Sequence, residues 1–398
     1  MSPRLARRIE DFGLTIFSEM TALAVKQQAI NLGQGFPDFD GPESIKATAV
    51  RAIQDGMNQY AVGVGQPDLR VAVAEHAQRH YGMAVDPATM VTVTSGATEA
   101  IFSAMLGLID PGDEVIVLEP FYDCYVPAVL MAGGVPRFVQ LHPPQPGQTE
   151  WRLDLDELNA AFNARTRAIL INTPHNPTGK VFSADELKAV AILCVAWDVV
   201  AITDEVYEHL VYGAARHVRL ATQPGMAERT ITIGSLGKSF SFTGWKVGWA
   251  IAAPDLTPAV RRTHQYITFA TPIPFQTAAA AALTGGDAVV QALAEDFERK
   301  RDFLVGVLDE IGLQPGVPAG GYFILTDYRG INVPAELKDD SAAFCRWLTT
   351  EIGVAAIPLS AFYSPEHLGE TRGRVRFAFC KQQSTLERAA QRLLRLAS

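Results

Sequence analysis

At 398 residues the chain has room for two or three lobes of roughly 150 residues each, and 48% hydrophobic with 19% charged residues is an ordinary globular composition, not a disordered one. Lys and Arg number 34 against 43 Asp and Glu, a net charge of −9 with no basic block, which excludes nucleic-acid binding as the main business. No apolar run approaches the roughly 20 residues of a membrane span.

Taken in chain order, the start carries Arg7 and Arg8 but no apolar region after them, so no secretory signal is expected. The stretch before Pro42 shows few strong elements and reads as an arm, with Pro42 in the first turn of a helix. From about residue 90 to 250, apolar β-branched runs at 91–94, 115–118, 167–171, 199–203, 230–233 and 247–251 alternate with helical patterns. They are apolar on both faces, as buried parallel strands are. Ser183 and Glu186 form a capping box for the helix after 183. Residues 285–312 keep helical spacing up to Gly312 as a stop, and short strands at 322–326, 354–357 and 374–379 precede a last helix. The pattern predicts an α/β layer architecture, with helices on both faces of a mostly parallel sheet, and a smaller α+β lobe after it. Cys124, Cys194, Cys345 and Cys380 lack CxxC spacing. They fit reduced thiols in a cytoplasmic protein, and no metal site is expected.

Several loops after these strands carry chemistry. Gly237-Lys238-Ser239 resembles the end of a P-loop, but Thr232 stands where its first glycine belongs, and residues 239–244 are poor helix formers. Lys238 instead lies in a polar loop past a buried strand, where ligands bind in α/β sheets and where a desolvated lysine becomes a nucleophile. Asp204 closes an apolar strand and needs a cationic partner, which a pyridinium N–H would supply. Tyr207 follows three residues later, and two prolines and a glycine in the segment 172–179 (NTPHNPTG) aim Asn176.

Together with the segments 203–207 (TDEVY), 235–238 (SLGK) and 244–249 (GWKVGW) and with Arg376, these motifs resemble the class I and II pyridoxal-phosphate aminotransferases of fold type I, over nearly the whole chain. The resemblance implies a large domain with a mostly parallel seven-stranded sheet flanked by helices at 46–284, an arm and part of the small domain at 1–45, and the rest of a smaller α+β domain at 285–398. It implies pyridoxal 5′-phosphate held by Lys238 as a Schiff base, Asp204 on the ring nitrogen, and Asn176 and Tyr207 on the ring oxygen. Tyr122 would stack on the ring, with Phe121 as the alternative. Gly96, Ala97, Thr98, Ser235 and Lys246 would hold the phosphate, and Tyr60 would reach it from the other subunit of a homodimer with shared sites. Arg376 would bind the substrate carboxylate, in preference to Arg374. Phe17, Gly35, Tyr322 and Phe362 would line the side-chain pocket, with Phe269 coming from the partner.

The segments 31–39, 119–125 and 358–364 are most similar to the kynurenine, glutamine–phenylpyruvate and methionine aminotransferases, some of which also cleave cysteine conjugates, and to N-succinyldiaminopimelate aminotransferase-like relatives. The aromatic–histidine pair of the kynurenine branch reads Phe269-Ala270 here. The expected substrates are therefore an apolar, aromatic or glutamine-like L-amino acid and a 2-oxo acid, with no nucleic acid or membrane as partner.

Overall fold

The computed structural model describes residues 5–10, 12–144 and 150–397. The first four residues of the expected arm, together with residues 11, 145–149 and 398, lie outside the described residues. In chain order the strands are β1 (Ile30–Asn31), β2 (Val91–Thr94), β3 (Glu114–Glu119), β4 (Val135–His142), β5 (Arg152–Leu153), β6 (Thr166–Asn172) and β7 (Val200–Asp204), then β8 (Thr230–Ser235), β9 (Gly248–Ala252), β10 (Phe323–Asp327), β11 (Val354–Ala355), β12 (Ile357–Pro358) and β13 (Arg374–Ala378).

The main sheet runs β2-β9-β8-β7-β6-β3-β4-β5. It has seven principal strands, and the two-residue β5 extends the edge to eight. Strands β8, β7, β6, β3 and β4 are parallel. The expectation that 247–251 is also a parallel strand fails: β9 is antiparallel to both β8 and β2. The physical reason is the connection. Residues 236–247 hold only the one-turn helix Leu236–Ser239 and the short turn Thr243–Trp245, so no packed helix crosses the sheet to bring the chain back in parallel. That short return places Lys238 and Lys246 on one loop.

Alternate residues of the central strands serve opposite faces, as a period of two requires. Val115, Val117, Leu170, Ile202 and Ile233 pack toward the helices Gly96–Leu108, Tyr125–Met131 and Thr257–Ile267. Ile116, Leu118, Ile169, Ile171 and Ala201 face the helix Ala184–Trp197 and the C-terminal part of the chain. That helix has the expected capping box of Ser183 and Glu186.

The helix expected over 285–312 spans Asp287–Glu310, and Gly312 follows it with φ +82°. Beyond it lie an antiparallel sheet β10-β13-β12 and a parallel pair β1-β11. The single strand expected at 354–357 is two. The chain leaves its partner β1 at Ala355 and takes up β13 at Ile357. Two further expectations need correction. The region before Pro42 contains the helix Ile16–Lys26, capped by Thr15, and Pro42 is the N-cap of Glu43–Gln54, one residue before the first turn. Among the described residues no helix is long and apolar enough to cross a membrane.

Candidate active site

Parallel strands in register bring their last residues to one rim. Asn172 on β6 is paired with Asp204 on β7, and Asp204 with Ile233 on β8. At this rim opens a cavity of about 240 Å³. Thirteen of the seventeen candidate residues line it: Lys238, Asp204, Tyr207, Asn176, Gly96, Ala97, Thr98, Tyr122, Ser235, Lys246, Arg376, Gly35 and Phe17. Gln34, Asp123, Tyr125, Asn172 and Phe323 line it too.

Asp204 is buried, and its Oδ2 accepts a 2.7 Å hydrogen bond from the Tyr125 hydroxyl. Oδ1 accepts from the Val206 N–H at 3.4 Å. Burial pushes this carboxyl above the usual carboxylate range, and the Tyr125 hydrogen bond opposes that shift. Among the described residues Asp204 forms no ion pair. Its own backbone carbonyl accepts from Asn172 Nδ2 at 2.9 Å, and Asn172 Oδ1 accepts from the Asn176 N–H at 2.7 Å, so the β6 loop is tied to the β7 end.

Lys238 follows β8 in a one-turn helix, Leu236–Ser239. Its Nζ donates to the Tyr322 hydroxyl at 2.9 Å and to the Gly35 carbonyl at 3.4 Å, and Tyr322 itself donates to Gly35 at 2.5 Å. Burial lowers the ammonium to about 8. Gly35 has no room for a side chain, since a Cβ there would lie 2.5 Å from the Phe323 ring.

Gly96 opens the helix Gly96–Leu108 at φ +78°, and a Cβ on it would stand 3.2 Å from both Cε and Nζ of Lys246. Ser95 gives that helix no side-chain cap, so its first N–H groups remain available at the cavity wall. Free N–H donors at a helix start facing an ammonium make an anion site. Lys246 reaches it from a left-handed backbone, φ 53°.

Arg376 on β13 is 2% exposed. It donates to Asn176 Oδ1 at 2.9 Å and to the Gly33 carbonyl at 2.8 Å, while its Nε has no hydrogen-bond partner among the described residues. The rings of Phe17, Phe323 and Phe362 pack around the guanidinium at 5.4, 3.9 and 4.8 Å. Burial lowers it to about 10. Arg374 points elsewhere, to the Glu370 carbonyl at an exposed position. Tyr122 faces the cavity, whereas Phe121 is buried against Phe138.

The other four candidates lie off the cavity wall. Tyr322 stands directly behind Lys238, and Phe362 behind Arg376. Tyr60 and Phe269 are elsewhere on the surface, 87% and 45% exposed, with their rings edge to face at 5.4 Å. Sequence reasoning missed Tyr125 and Asn172. Tyr125 closes the 119–125 segment singled out in the sequence, and Asn172 opens the 172–179 segment, one residue past the strand expected at 167–171.

The family model for class I and II aminotransferases matches residues 27–393. The chain is 48% identical over 396 residues to a probable N-succinyldiaminopimelate aminotransferase of Mycobacterium tuberculosis, with 98% of each chain covered. It is 40% identical over 423 residues to a kynurenine–oxoglutarate transaminase of Dictyostelium discoideum, covering 98% of this chain and 96% of that one. A solved structure of N-succinyldiaminopimelate aminotransferase from Mycobacterium tuberculosis superposes with a TM-score of 0.94 at 48% identity, covering 98% of this chain and all of the other.

Proposed function

Because the chain belongs to the class I and II aminotransferases and has their fold-type I architecture, we propose that its cavity holds pyridoxal phosphate and exchanges an amino group between an L-amino acid and a 2-oxo acid. The observation that carries this reading is the gathering of Lys238, Asp204, Lys246 and Arg376 around one cavity of about 240 Å³.

The donor set fits the cofactor. The anion cradle of Gly96, Ala97, Thr98, Ser235 and Lys246 suits a phosphate. Asp204, buried without an ion pair, suits a protonated ring nitrogen. Asn176 and Tyr207 are at hand for the ring oxygen, and Tyr122 for a ring face. When bound, the cofactor supplies an electron sink for the bond broken at the substrate α-carbon.

Within that frame, Lys238 holds the cofactor and later moves the α-proton. A lysine lowered to about 8 is neutral in about one molecule in ten at pH 7, which a general base requires. Arg376, with an unpartnered Nε and aromatic walls, binds the α-carboxylate and turns the Cα–H bond toward Lys238. Asp204 keeps its negative charge opposite the ring nitrogen with help from Tyr125.

We read the enzyme as a homodimer with shared sites. Tyr60 and Phe269 are exposed with their rings edge to face, Ile53 and Met57 line the same surface hollow as Tyr60, and a partner's copies of Tyr60 and Phe269 would complete the cavity. The four cysteines are free, which fits a cytoplasmic enzyme.

Among the described residues the only cationic side chains lining the cavity are Lys238, Lys246 and Arg376, each with a role already. None is left for a distal carboxylate, so apolar, aromatic or glutamine-like donors such as methionine, phenylalanine, kynurenine and glutamine are favoured over aspartate. The 48% identity to the mycobacterial relative favours a second reading, N-succinyldiaminopimelate as donor. The test is kcat/KM for these six donors with one oxo acid. Aspartate ranking first overturns the apolar pocket, and the succinylated donor leading by about tenfold, about 1.4 kcal/mol, establishes the second reading. Cysteine-conjugate cleavage would appear in the same assays as ammonia and thiol without a new amino acid.

A further inference from the structure

On the far side of the Asp204–Tyr207 segment lies a second cluster of ionisable side chains that the reaction does not use. His76 and His80 sit one turn apart on the helix Pro67–Tyr81, and His209 follows Tyr207 by two residues. His76 Nε2 and His209 Nε2 are 2.9 Å apart, although 133 residues separate them in sequence. The ring centroids of His80 lie 4.5 Å from His76 and 5.2 Å from His209. Glu208 is 4% exposed and His76 3%. One ligand atom from each of His76, Glu208 and His209 falls within 4.8 Å of the other two.

We propose that His76, His209 and Glu208 form a site for one divalent transition-metal ion of the zinc class. Two imidazole nitrogens and a carboxylate are the donors such an ion takes, and buried imidazoles are neutral and present lone pairs. Nitrogens about 2.1 Å from a common ion and 2.9 Å apart subtend about 90° at it, so opening the pair to about 3.4 Å gives the tetrahedral angle. Side-chain rotation of two histidines supplies those few tenths of an ångström.

The surroundings suit a cation. Arg219, the buried guanidinium beside the group, is ion-paired to Glu208 at 2.7 Å and to Glu205 at 3.1 Å, and His217 Nε2 lies 3.0 Å from the same Glu205 oxygen. The carboxylate of Glu208 thus supplies negative charge directly beside the two imidazoles. Asp287 accepts from His80 Nε2 at 3.2 Å, a carboxylate–histidine pair that holds the neighbouring imidazole in place. The alternative is a plain imidazole–imidazole hydrogen bond with no ion. A bound ion would pin the β7 turn carrying Asp204 and Tyr207 to the helix Pro67–Tyr81.

Cobalt(II) is the probe, titrated into untagged holoenzyme while the visible d–d absorption is followed. The expected result is one equivalent bound with tetrahedral-type bands, a melting temperature raised by the metal, and binding weakened by at least about tenfold in both His76→Gln and His209→Gln. His142→Gln, which alters the surface group His142, Asp154 and Glu157, should leave binding unchanged. Circular dichroism of each variant checks that it is folded. Absence of the bands in wild-type enzyme overturns the site in favour of the hydrogen bond. Bands that persist in His76→Gln and His209→Gln, or vanish in His142→Gln, overturn it as well.

Discussion

Tyr125→Phe removes a single oxygen, the one that donates to Asp204 Oδ2 at 2.7 Å. Both residues are buried, and the ring stays packed against the helix and strand residues around it. The remaining donor to that carboxylate, the Val206 N–H, is at 3.4 Å, near the limit of a hydrogen bond. A hydrogen bond to a charged group is worth about 1.5–3 kcal/mol. Losing it destabilises the ionised form alone, so the carboxyl, already raised by burial, moves further up. A raised carboxyl takes its proton at higher pH, so activity fails sooner as pH falls. If Asp204 must stay ionised opposite the ring nitrogen, kcat/KM drops about ten- to hundredfold near neutrality, the same energy expressed as rate. The acid limb of the pH–rate profile moves toward neutral. The assay is the amino-donor half-reaction, followed by cofactor absorbance across that limb. A variant within about twofold of wild type at every pH, with an unmoved limb, would refute the reasoning.

Lys238→Met should stabilise the cofactor-free protein. Burial lowers the lysine from 10.5 to about 8, a penalty of about 3 kcal/mol that is full below pH 8 and fades as pH rises toward 10.5. Denaturant melts at pH 7 and pH 10 check this, and a wild type at least as stable at pH 7 contradicts it. The same variant should lose turnover and the borohydride-trapped adduct, and an adduct on another lysine would move the assignment. Arg376→Lys keeps the charge but not the fork, and should raise KM for the amino donor about tenfold or more, with a smaller change in kcat. An unchanged KM would place the carboxylate elsewhere. Mixing Tyr60→Phe with Lys238→Ala chains should restore activity above either parent, because a hybrid dimer rebuilds one intact site. No gain, with both parents impaired, rejects the shared site.

The central strands were legible because burial on both faces leaves an uninterrupted apolar run, as in 167–171 and 199–203. Strand β4 was not, since its first four residues are exposed or half-buried and carry Pro136 and Arg137. The direction of β9 was hidden for a different reason. Composition reports burial, whereas direction follows from the lack of a packed crossover helix between β8 and β9. At the site, Lys238, Asp204 and Arg376 stood out through position and resemblance. Tyr125 did not, because an aromatic residue in an apolar helix reads as core until the oxygen it touches is known. The pairing of His76 with His209 is likewise a product of tertiary structure, with no spacing in the sequence to announce it.

Arg376 joins parts of the chain that are made far apart in time. Its partners Gly33 and Asn176 precede it by 343 and 200 residues. At roughly 5–20 residues per second on the ribosome, the Gly33 carbonyl waits roughly 20 to 70 s for its donor. The same delay holds for β1, whose partner β11 begins at Val354. Leu32, fully buried in the finished protein, likewise waits for Ala355 and Ala378, whose carbonyl and N–H bond its backbone. If Arg376 binds the substrate carboxylate as proposed, that capacity is among the last the nascent chain acquires, and a chain truncated before β13 can assemble most of its main sheet without it.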